Sequence, residues 1–413
     1  MRASILPIAA MLPAILAAPQ PEHKTATTST STGAAAAAIT PAVVERAAAA
    51  GVGGTKITTL AGNSGVGGAT CTVTAFADVK ASVAACSNVL LSGLTIPASS
   101  TLSVTVPTSG ALLFAGTMTV EYTPNAAYTP IVLTGKHAKV AGLAGAVIDG
   151  LGAKYWDGGG SNSGTAKPDH LIKLSNMVSS YFGDLTIKNW PTHLFEITGG
   201  SDNTIENLIL DNSAGNALTG KKKLGHNTDA FDVANVNGLH VKSATVYNQD
   251  DCVAVNSGSN IVFENLYCSG GHGMSIGSIK SGVTVSNVTF KDSSVIDSFN
   301  GCRIKTISGA TGSSVSDITY SNIFLSGISD YAIDVQQDYL NGGPTGKPSS
   351  SITVSDVTFK DITGTVSDSD AYEYYLLCGS TSSCTGFTWS GISITGGGKT
   401  ECSPSGSSIC PSF

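Results

Sequence analysis

The sequence is poor in charge, shows little helical periodicity and has no long apolar run. Only 12% of its 413 residues are Asp, Glu, Lys or Arg, and the formal net charge is −7. A nucleic-acid-binding protein would present a basic field, so this balance argues against nucleic acid as a partner. No segment reaches 18 continuous apolar residues, so a typical membrane-spanning helix is not expected. The net charge also offers no general attraction for an acidic polymer, so any anionic ligand must be held by local cations.

The first 18 residues have the composition of a secretion signal. Arg2 supplies the positive charge, residues 3–16 are apolar, and Ala17 and Ala18 end the segment with small side chains. The run is too short, and too interrupted by proline, to span a membrane. We interpret residues 19–62, which are rich in Ala, Thr and Gly, as a pro-segment or disordered leader. Residues 63–413 are then one folded domain of a secreted, extracellular protein.

Short segments rich in Val, Ile, Thr, Phe and Tyr recur along this domain, a composition that favours strands. The copies that we align are 184–189, 207–212, 243–248, 265–268, 287–292, 322–325 and 356–361. Their fourth positions are separated by 23, 36, 22, 22, 35 and 34 residues. Such a period indicates a solenoid in which insertions form loops. The sequence therefore predicts an all-β protein, a right-handed parallel β-helix of single-stranded coils of about 22 residues. An irregular β-sandwich is the alternative, but it would not require equal spacing.

Four polar motifs recur on nearly the same pitch. They are Asn227-Thr228-Asp229, Gln249-Asp250-Asp251, Gly271-His272-Gly273 and Arg303-Ile304-Lys305. From Asp229 to Asp250 is 21 residues, and from Asp250 to His272 is 22. If each motif occupies one coil, these side chains form a column and hence a single site.

The three carboxylates of this column suggest acid–base chemistry. Close like charges raise the pKa of at least one of them, which places a protonated acid beside ionised bases. Glycoside hydrolysis needs that arrangement. Three alternatives remain: a Ca²⁺ site, Asx caps of turns, or solvated surface charge. The neighbouring cations argue against Ca²⁺.

Arg303 and Lys305 flank Ile304, so in a strand both cations face one side while Ile304 faces the core. Such a pair can clamp a carboxylate, although an exposed basic strand is the simpler reading. His272 could hydrogen-bond one of the acids and tune its protonation, or it could be an ordinary loop residue. The triplet at residues 221–223 is interpreted as a solvated lysine loop that could also line a cleft.

Secretion makes disulfides the default state of the nine cysteines, and metal binding is the weaker reading because CxxC pairs are lacking. The pairs close in sequence are Cys71–Cys86, Cys252–Cys268, Cys378–Cys384 and Cys402–Cys410. Cys302 is left over, and we expect a buried free thiol. Asn287 begins the N-glycosylation sequence Asn-Val-Thr.

At these motifs the chain resembles the polygalacturonases of glycoside hydrolase family 28, especially the fungal endo-acting enzymes. The resemblance extends from Cys71 to Cys410. It is carried by residues 148–150, 155–158, 225–229, 248–252, 270–278, 303–306 and 336–339, which read IDG, YWDG, GHNTD, NQDDC, GGHGMSIGS, RIKT and QQDY. Two departures are Ala230, where the fungal relatives usually have glycine, and Cys302, where an aliphatic residue is common.

The resemblance implies a right-handed parallel β-helix that hydrolyses α-1,4 links of polygalacturonic acid with inversion. It implies Asp250 as the general acid, Asp229 and Asp251 as the pair that activates water, and His272 as the partner of the acid. Arg303, Lys305, Tyr339 and Asn227 would bind substrate, with Tyr331 a weaker candidate. No cofactor is implied, and a monomer is expected. The alternatives are an exo-acting, rhamnogalacturonan- or xylogalacturonan-specific relative, a Ca²⁺-dependent pectate lyase, and a catalytically inactive pectin-binding β-helix.

One geometric question stays open at this point. Asp250 and Asp251 are adjacent, and a regular strand would direct them to opposite faces. The backbone must therefore bend there if both carboxylates are to reach one cleft.

Overall fold

The computed structural model describes residues 70–412. The predicted signal segment at 1–18 and the predicted leader at 19–62 lie outside the described residues. The helix α1 spans Val79–Ala85, and short 3₁₀ turns span Phe76–Asp78, Gly152–Lys154 and Ser213–Asn216. In chain order the strands are β1 Thr70–Val73, β2 Asn88–Ser92, β3 Thr95–Ile96, β4 Leu102–Val106, β5 Ala111–Ala115, β6 Thr117–Val120, β7 Ile131–Gly135, β8 Lys139–Gly142, β9 Val147–Asp149, β10 His170–Ser175, β11 Tyr181–Lys188, β12 His193–Thr198, β13 Ser201–Asp211, β14 Leu218–Thr219, β15 Lys222–Lys223, β16 Phe231–Ala234, β17 Val236–Tyr247, β18 Val253–Val255, β19 Gly258–Ser269, β20 Met274–Ile279, β21 Thr284–Ile296, β22 Asn300–Ile307, β23 Ser313–Ile328, β24 Tyr331–Tyr339, β25 Ile352–Val366, β26 Tyr372–Leu377, β27 Cys384–Thr385, β28 Thr388–Ser390, β29 Ser393–Thr395 and β30 Lys399–Ser403.

Successive coils pair in parallel and build two long sheets. One sheet has 17 strands, and the other has 11, in the order β4-β7-β10-β12-β16-β18-β20-β22-β24-β26-β30. Among the described strands the small hairpin of β14 and β15 is the antiparallel exception. The fold is the predicted right-handed parallel β-helix. The 11-stranded sheet carries the motifs singled out from the sequence.

The predicted repeat is correct from Ile187 to Cys268 and wrong at two later positions, Phe290 and Phe359. The register pairs Ile187 with Leu210, Leu210 with Val246, and Val246 with Cys268, as expected. Cys268 then pairs with Val295 and not with Phe290. The predicted equivalence therefore fails for Phe290 and Phe359, whereas Leu325 does belong to the column of Cys268, through Val295. The actual partners of Phe290 are Phe263 and Tyr320.

The error has a physical cause, because each long strand contains two similar Asn- or Asp-led segments. Left-handed backbone occurs at both Asn260 and Asn265 in β19, and at both Asn287 and Asp292 in β21. Asn and Asp tolerate this conformation better than other non-glycine residues. The Asn- or Asp-led pattern that marks a corner thus appears twice in each long strand, five residues apart. The sequence alignment matched the second segment of one coil to the first segment of the next.

Aromatic rings pack in series through the interior of the solenoid. Phe263 stacks on Phe290 with a centroid distance of 5.3 Å, Phe290 on Tyr320 at 4.7 Å, and Tyr320 on Phe359 at 5.5 Å. All four are buried. Each ring packs against the coil before and the coil after, so the column fixes the coil register as well as burying apolar area. No helix in residues 70–412 has the length and apolar character needed to cross a membrane.

The structure contains the four disulfides predicted from the sequence. They join Cys71 to Cys86, Cys252 to Cys268, Cys378 to Cys384, and Cys402 to Cys410. Cys302 is a buried free thiol, as expected, and burial raises its pKa above the ordinary value. Because the thiol faces the core, it takes no part in the cleft beside it.

Candidate active site

The 11-stranded sheet aligns the polar motifs in a column. Inward-facing residues pair in register from Phe231 to Val253 to Met274. Asp229, Asp251 and His272 each precede one of these residues by two positions, so they occupy equivalent places on successive coils. The column predicted from the spacing is therefore present in the fold.

The backbone bends at the two adjacent aspartates, as the sequence required. Residues 248–252 form a bend before β18 begins at Val253. The Asn248 side-chain amide donates to the carbonyl oxygens of Asp250 and Asp251, both at 2.9 Å. Asp250 is 7% exposed and Asp251 is 2% exposed. Both carboxylates thus belong to one polar cluster although they are neighbours in the chain.

Asp250 is held by His272 and Asn227. His272 Nδ1 lies 2.9 Å from Asp250 Oδ1, and the Asn227 side-chain amide donates to Oδ2 at 3.1 Å. Burial opposes ionisation of Asp250, but His272, and then Lys305, outweigh burial and lower its pKa. Gly273 makes room for this coil, because a Cβ there would come within 2.4 Å of two carbonyl oxygens and its φ is +85°.

Asp251 is held by Lys305 and Ser275. Lys305 Nζ donates to Oδ2 at 2.6 Å, and the Ser275 hydroxyl donates to Oδ1 at 2.9 Å. The Lys305 side chain is only 6% exposed. Both oxygens of Asp251 therefore have a donor, which suits a carboxylate anion in a buried place.

Asp229 has the opposite electrostatic environment. It is 9% exposed, and burial, followed by the charges of Asp250 and Asp232, raises its pKa well above the ordinary value. His193 partly offsets this effect from 3.7 Å. Because Asp229 and Asp250 influence each other strongly, they titrate as a pair. Burial and the neighbouring carboxylates thus favour the protonated form of Asp229, whereas His272 favours the ionised form of Asp250.

The two predicted cations lie side by side on β22. Ile304 between them is buried in the core, so the predicted alternation is confirmed. Burial opposes their charge, but Asp334 and Asp251 raise the pKa of Arg303 and Lys305 respectively above the usual values. Tyr339 covers both, with its ring centroid 5.3 Å from the Arg303 guanidinium and 5.1 Å from the Lys305 ammonium.

Several charged residues of this region were not predicted from the sequence. Asp334 is fully buried and accepts a hydrogen bond of 3.0 Å from Arg303 Nε. On the other side of the column lie Asp169, His170, His193 and Asp232. A spacing signal for His193 did exist. Phe195 pairs with Phe231, and His193 precedes Phe195 by two positions, just as Asp229 precedes Phe231. The separation of 36 residues between His193 and Asp229 concealed this equivalence.

Three groups of carboxylates and imidazoles bring possible ligand atoms within 4.8 Å of one another. They are Asp169 with His170 and His193, His193 with Asp229 and Asp232, and Asp250 with Asp251 and His272. In each group a ring nitrogen already faces a carboxylate, and Lys305 adds a cation to the third. These contacts are those of ion pairs, and we identify none of these residues as metal ligands.

Three more residues singled out from the sequence, Asn287, Lys223 and Tyr331, lie outside the carboxylate cluster. Asn287 is exposed on β21, and its side-chain amide donates to Asn260 Oδ1 at 2.7 Å. Lys223, in the β14–β15 hairpin, donates to the carbonyl of Gly270 at 3.0 Å. That contact brings the lysine loop to the coil of His272. Tyr331, the weaker substrate-binding candidate, packs against Tyr372 and Tyr375 beyond the cations.

Comparison with known proteins identifies the family. The family model described as glycosyl hydrolases family 28 matches residues 86–410. The chain belongs to glycosyl hydrolase family 28. A probable endopolygalacturonase D of Neosartorya fischeri is 51% identical over 354 residues, covering 84% of this chain and 74% of the relative. A polygalacturonase of Fusarium fujikuroi is 47% identical over 350 residues, covering 83% of this chain and 93% of the relative.

A solved structure of a fungal enzyme has the same fold. It is endopolygalacturonase I from Stereum purpureum, in complex with two galacturonate molecules. The TM-score is 0.72 and the sequence identity 36%, covering 80% of this chain and 97% of that one. The resemblance inferred from the motifs is therefore confirmed over most of the described chain.

Proposed function

We propose that this family 28 hydrolase cleaves α-1,4-galacturonosyl links within chains of polygalacturonic acid. The observation that carries the proposal is the convergence of three buried carboxylates with two buried cations in one column. The carboxylates supply acid–base chemistry, and the cations supply the charge that a polyanionic substrate needs. The names of the two fungal relatives and of the Stereum purpureum enzyme support the same substrate class. Those of the Neosartorya fischeri relative and the Stereum purpureum enzyme also support endo action.

In this proposal the bond is broken by inversion. Asp250 protonates the leaving glycosidic oxygen, while Asp229 and Asp251 deprotonate and orient the attacking water on the opposite side of the sugar. The C1–O bond breaks as the water oxygen bonds to C1. Asn227 positions Asp250 and contacts substrate, and His272 keeps Asp250 within the polar network. These roles are assigned by the family resemblance and by the contacts described above.

The resting charge distribution requires one proton shift before this step. The raised pKa of Asp229 and the lowered pKa of Asp250 favour the proton on Asp229 in the free protein, whereas the proposed acid is Asp250. Lys305 is one of the charges that lower the pKa of Asp250. A galacturonate carboxylate bound at Lys305 would neutralise that charge and raise the pKa of Asp250. Substrate binding would thus move the proton toward the acid.

Arg303 and Lys305 have further N–H groups that can donate to the galacturonate carboxylate. Within residues 70–412, Lys305 uses one of its three N–H donors on Asp251, and Arg303 uses Nε alone on Asp334. The terminal nitrogens of Arg303 can therefore form a bidentate pair with a carboxylate. Tyr339 adds an aromatic wall beside both. We propose that Arg303, Lys305 and Tyr339 bind the galacturonate unit at the cleavage site.

We further propose that the protein is secreted after removal of residues 1–18 and that 19–62 is a pro-segment. The exposed Asn287 is the proposed glycosylation site, and its hydrogen bond to Asn260 would have to break on modification. We propose a monomer with no cofactor. Mass spectrometry of the secreted protein would give the mature N-terminus and the occupancy of Asn287, and light scattering would give the oligomeric state.

The function is tested by incubating the secreted protein with polygalacturonic acid in EDTA. Viscosity, reducing ends and ultraviolet absorbance are followed together. We expect a fast fall in viscosity with few reducing ends and without a rise in absorbance. Slow viscosity loss at equal reducing ends would indicate exo action, and rising absorbance would indicate a lyase. Inactivity on this polymer, with activity on branched pectins, would indicate a different substrate, and binding without turnover would indicate a pectin-binding protein.

A further inference from the structure

Two histidines continue the catalytic column toward the N-terminus. His170 on β10 pairs in register with His193 on β12, and their rings lie 4.8 Å apart between centroids. His193 Nε2 lies 3.7 Å from Asp229 Oδ1. Neither histidine has a role in the mechanism proposed above. The coils before Asp229 therefore present a pair of titratable rings directly beside a proposed base.

The hydrogen bonds of His193 determine which nitrogen titrates. Nδ1 lies 2.9 Å from the backbone carbonyl oxygen of Asp169, and a carbonyl oxygen can only accept. Nδ1 therefore carries a proton in every charge state. The second proton binds at Nε2, the nitrogen that faces Asp229. Protonation of His193 thus places a positive charge directly opposite that carboxylate.

His170 supports this arrangement by bridging two further carboxylates. Its Nδ1 lies 2.9 Å from Asp169 Oδ2, and its Nε2 lies 2.9 Å from Asp232 Oδ2. The cationic ring can donate to both at once, and the neutral ring cannot. Asp232 is one of the charges that oppose ionisation of Asp229. By pairing with Asp232, His170⁺ screens Asp229 from it.

The charges that face His193 come from three directions. Asp169 and His170 lie on the coil below, Asp229 precedes β16, and Asp232 lies on β16. Burial alone would lower the pKa of His193, but Asp169, Asp229 and Asp232 outweigh burial and hold it well above its ordinary value. Burial, Asp250 and Asp232 oppose ionisation of Asp229, and His193 is the neighbouring cation that favours it.

We infer that His193 is a positioning residue that favours the ionised form of Asp229 needed for water activation, with His170 and Asp169 holding its ring in place. The inference rests on the proposed function, because it gives His193 a task within that reaction. When substrate neutralises Lys305, the proton must leave Asp229 for Asp250. The Nε2–H⁺ of His193 stabilises the resulting Asp229 carboxylate and so favours the reactive charge state.

The test uses two substitutions that remove the charge in different ways, His193→Gln and His193→Phe. Both should move the acid limb of the kcat–pH profile to higher pH by about one unit, the effect expected of an opposite charge at this distance. Well below that limb, kcat should fall about tenfold, with KM little changed. The matched control is His240→Gln, since His240 lies on β17 of the other sheet, where its Nε2 faces Glu264 Oε2 at 2.9 Å.

A merely structural role predicts a different result. It would lower kcat equally at all pH values, or lower the melting temperature, without moving the acid limb. That outcome, or an unshifted limb in either variant with the fold intact by circular dichroism, would overturn the inference. A shift shared by Gln and Phe would support it, because their shapes differ and only the missing charge is common.

A second measurement separates this inference from the proposed function. The chain has seven histidines, so long-range ¹H–¹⁵N spectra of ¹⁵N-histidine-labelled protein can be assigned with the His193→Gln variant. We expect the proton of neutral His193 on Nδ1 and a titration midpoint for His193 above the ordinary histidine value. The opposite tautomer would contradict the inference even in an active enzyme. Inactivity on polygalacturonic acid with the expected tautomer and midpoint would contradict the proposed function instead.

Discussion

The Lys305 ammonium lies 2.6 Å from the Asp251 carboxylate, across 54 residues of sequence. Both side chains are buried, so each depends on the other for its charge. Lys305 is therefore part of the carboxylate network and also a proposed substrate-binding residue.

Lys305→Met should cost both stability and activity. Removing one partner of a buried ion pair leaves the other charge uncompensated, which costs about 3 kcal/mol or more of unfolding free energy. Adding Asp251→Asn should restore part of that stability but no activity. Urea unfolding of the two single variants and the double variant measures the coupling. Equal, additive losses would show that the contact does not matter for folding.

Asp334 should make stability depend on pH. Burial first, opposed by Arg303, raises its pKa from 3.8 to about 6. The stability contributed by this group is therefore fully present below about pH 4 and is lost as the pH rises through 6. Two pKa units correspond to about 3 kcal/mol. Relative to wild type, Asp334→Asn should gain stability between pH 4 and 7 in urea titrations. A difference that stays constant with pH would contradict the assignment.

The proposed acid is tested by replacing each member of the pair in turn. Asp250→Asn should reduce kcat by about 10²–10⁴ with the melting temperature little changed, since a general acid contributes on that scale. Asp229→Asn should also reduce kcat severely. A good leaving group such as an aryl oxide needs no acid, so an aryl galacturonide should rescue Asp250→Asn and not Asp229→Asn. Rescue of Asp229→Asn instead would reverse the two roles.

Tyr339 should contribute through its ring and not through its hydroxyl. Tyr339→Ala removes the face that contacts Arg303 and Lys305, which we expect to raise KM by roughly 3- to 30-fold, the range of about 0.5–2 kcal/mol for such contacts. Tyr339→Phe is the matched control, because among the described residues the hydroxyl makes a single, long contact of 3.4 Å with Asn341. Equal defects in both variants would point to the hydroxyl.

The sequence predicted the fold class, the disulfides and the convergence of the polar motifs in one column, because each motif recurs at a nearly constant spacing. That spacing was counted through Asp250, whereas the register aligns Asp251 with Asp229 and His272. The sequence also placed Phe290 and Phe359 in the wrong register. Two Asx-led corners lie five residues apart in each long strand, and composition alone does not distinguish them. Only the pairing of Cys268 with Val295 does so.

The charged residues around the column, Asp334, His193 and His170, were not predicted for another reason. Asp334 alternates with apolar residues in β24 and gives no polar motif, and its pairing with Arg303 depends on the coil register. His193 and His170 precede a 36-residue coil that breaks the spacing. Sequence patterns reveal functional residues that recur once per coil. A residue whose partner lies on another coil, and which recurs nowhere else, can be identified only from the strand pairing in the structure.

The most direct test of the account is the configuration of the first product. Inverting hydrolysis of an α-linked galacturonan should release new reducing ends in the β-configuration, because water attacks opposite the leaving oxygen. Time-resolved ¹H NMR of wild-type digestion of oligogalacturonates can observe the anomeric protons before mutarotation. We predict β signals first and α signals later. Appearance of the α anomer first would mean retention, and it would contradict the assignment of Asp229 and Asp251 to water activation.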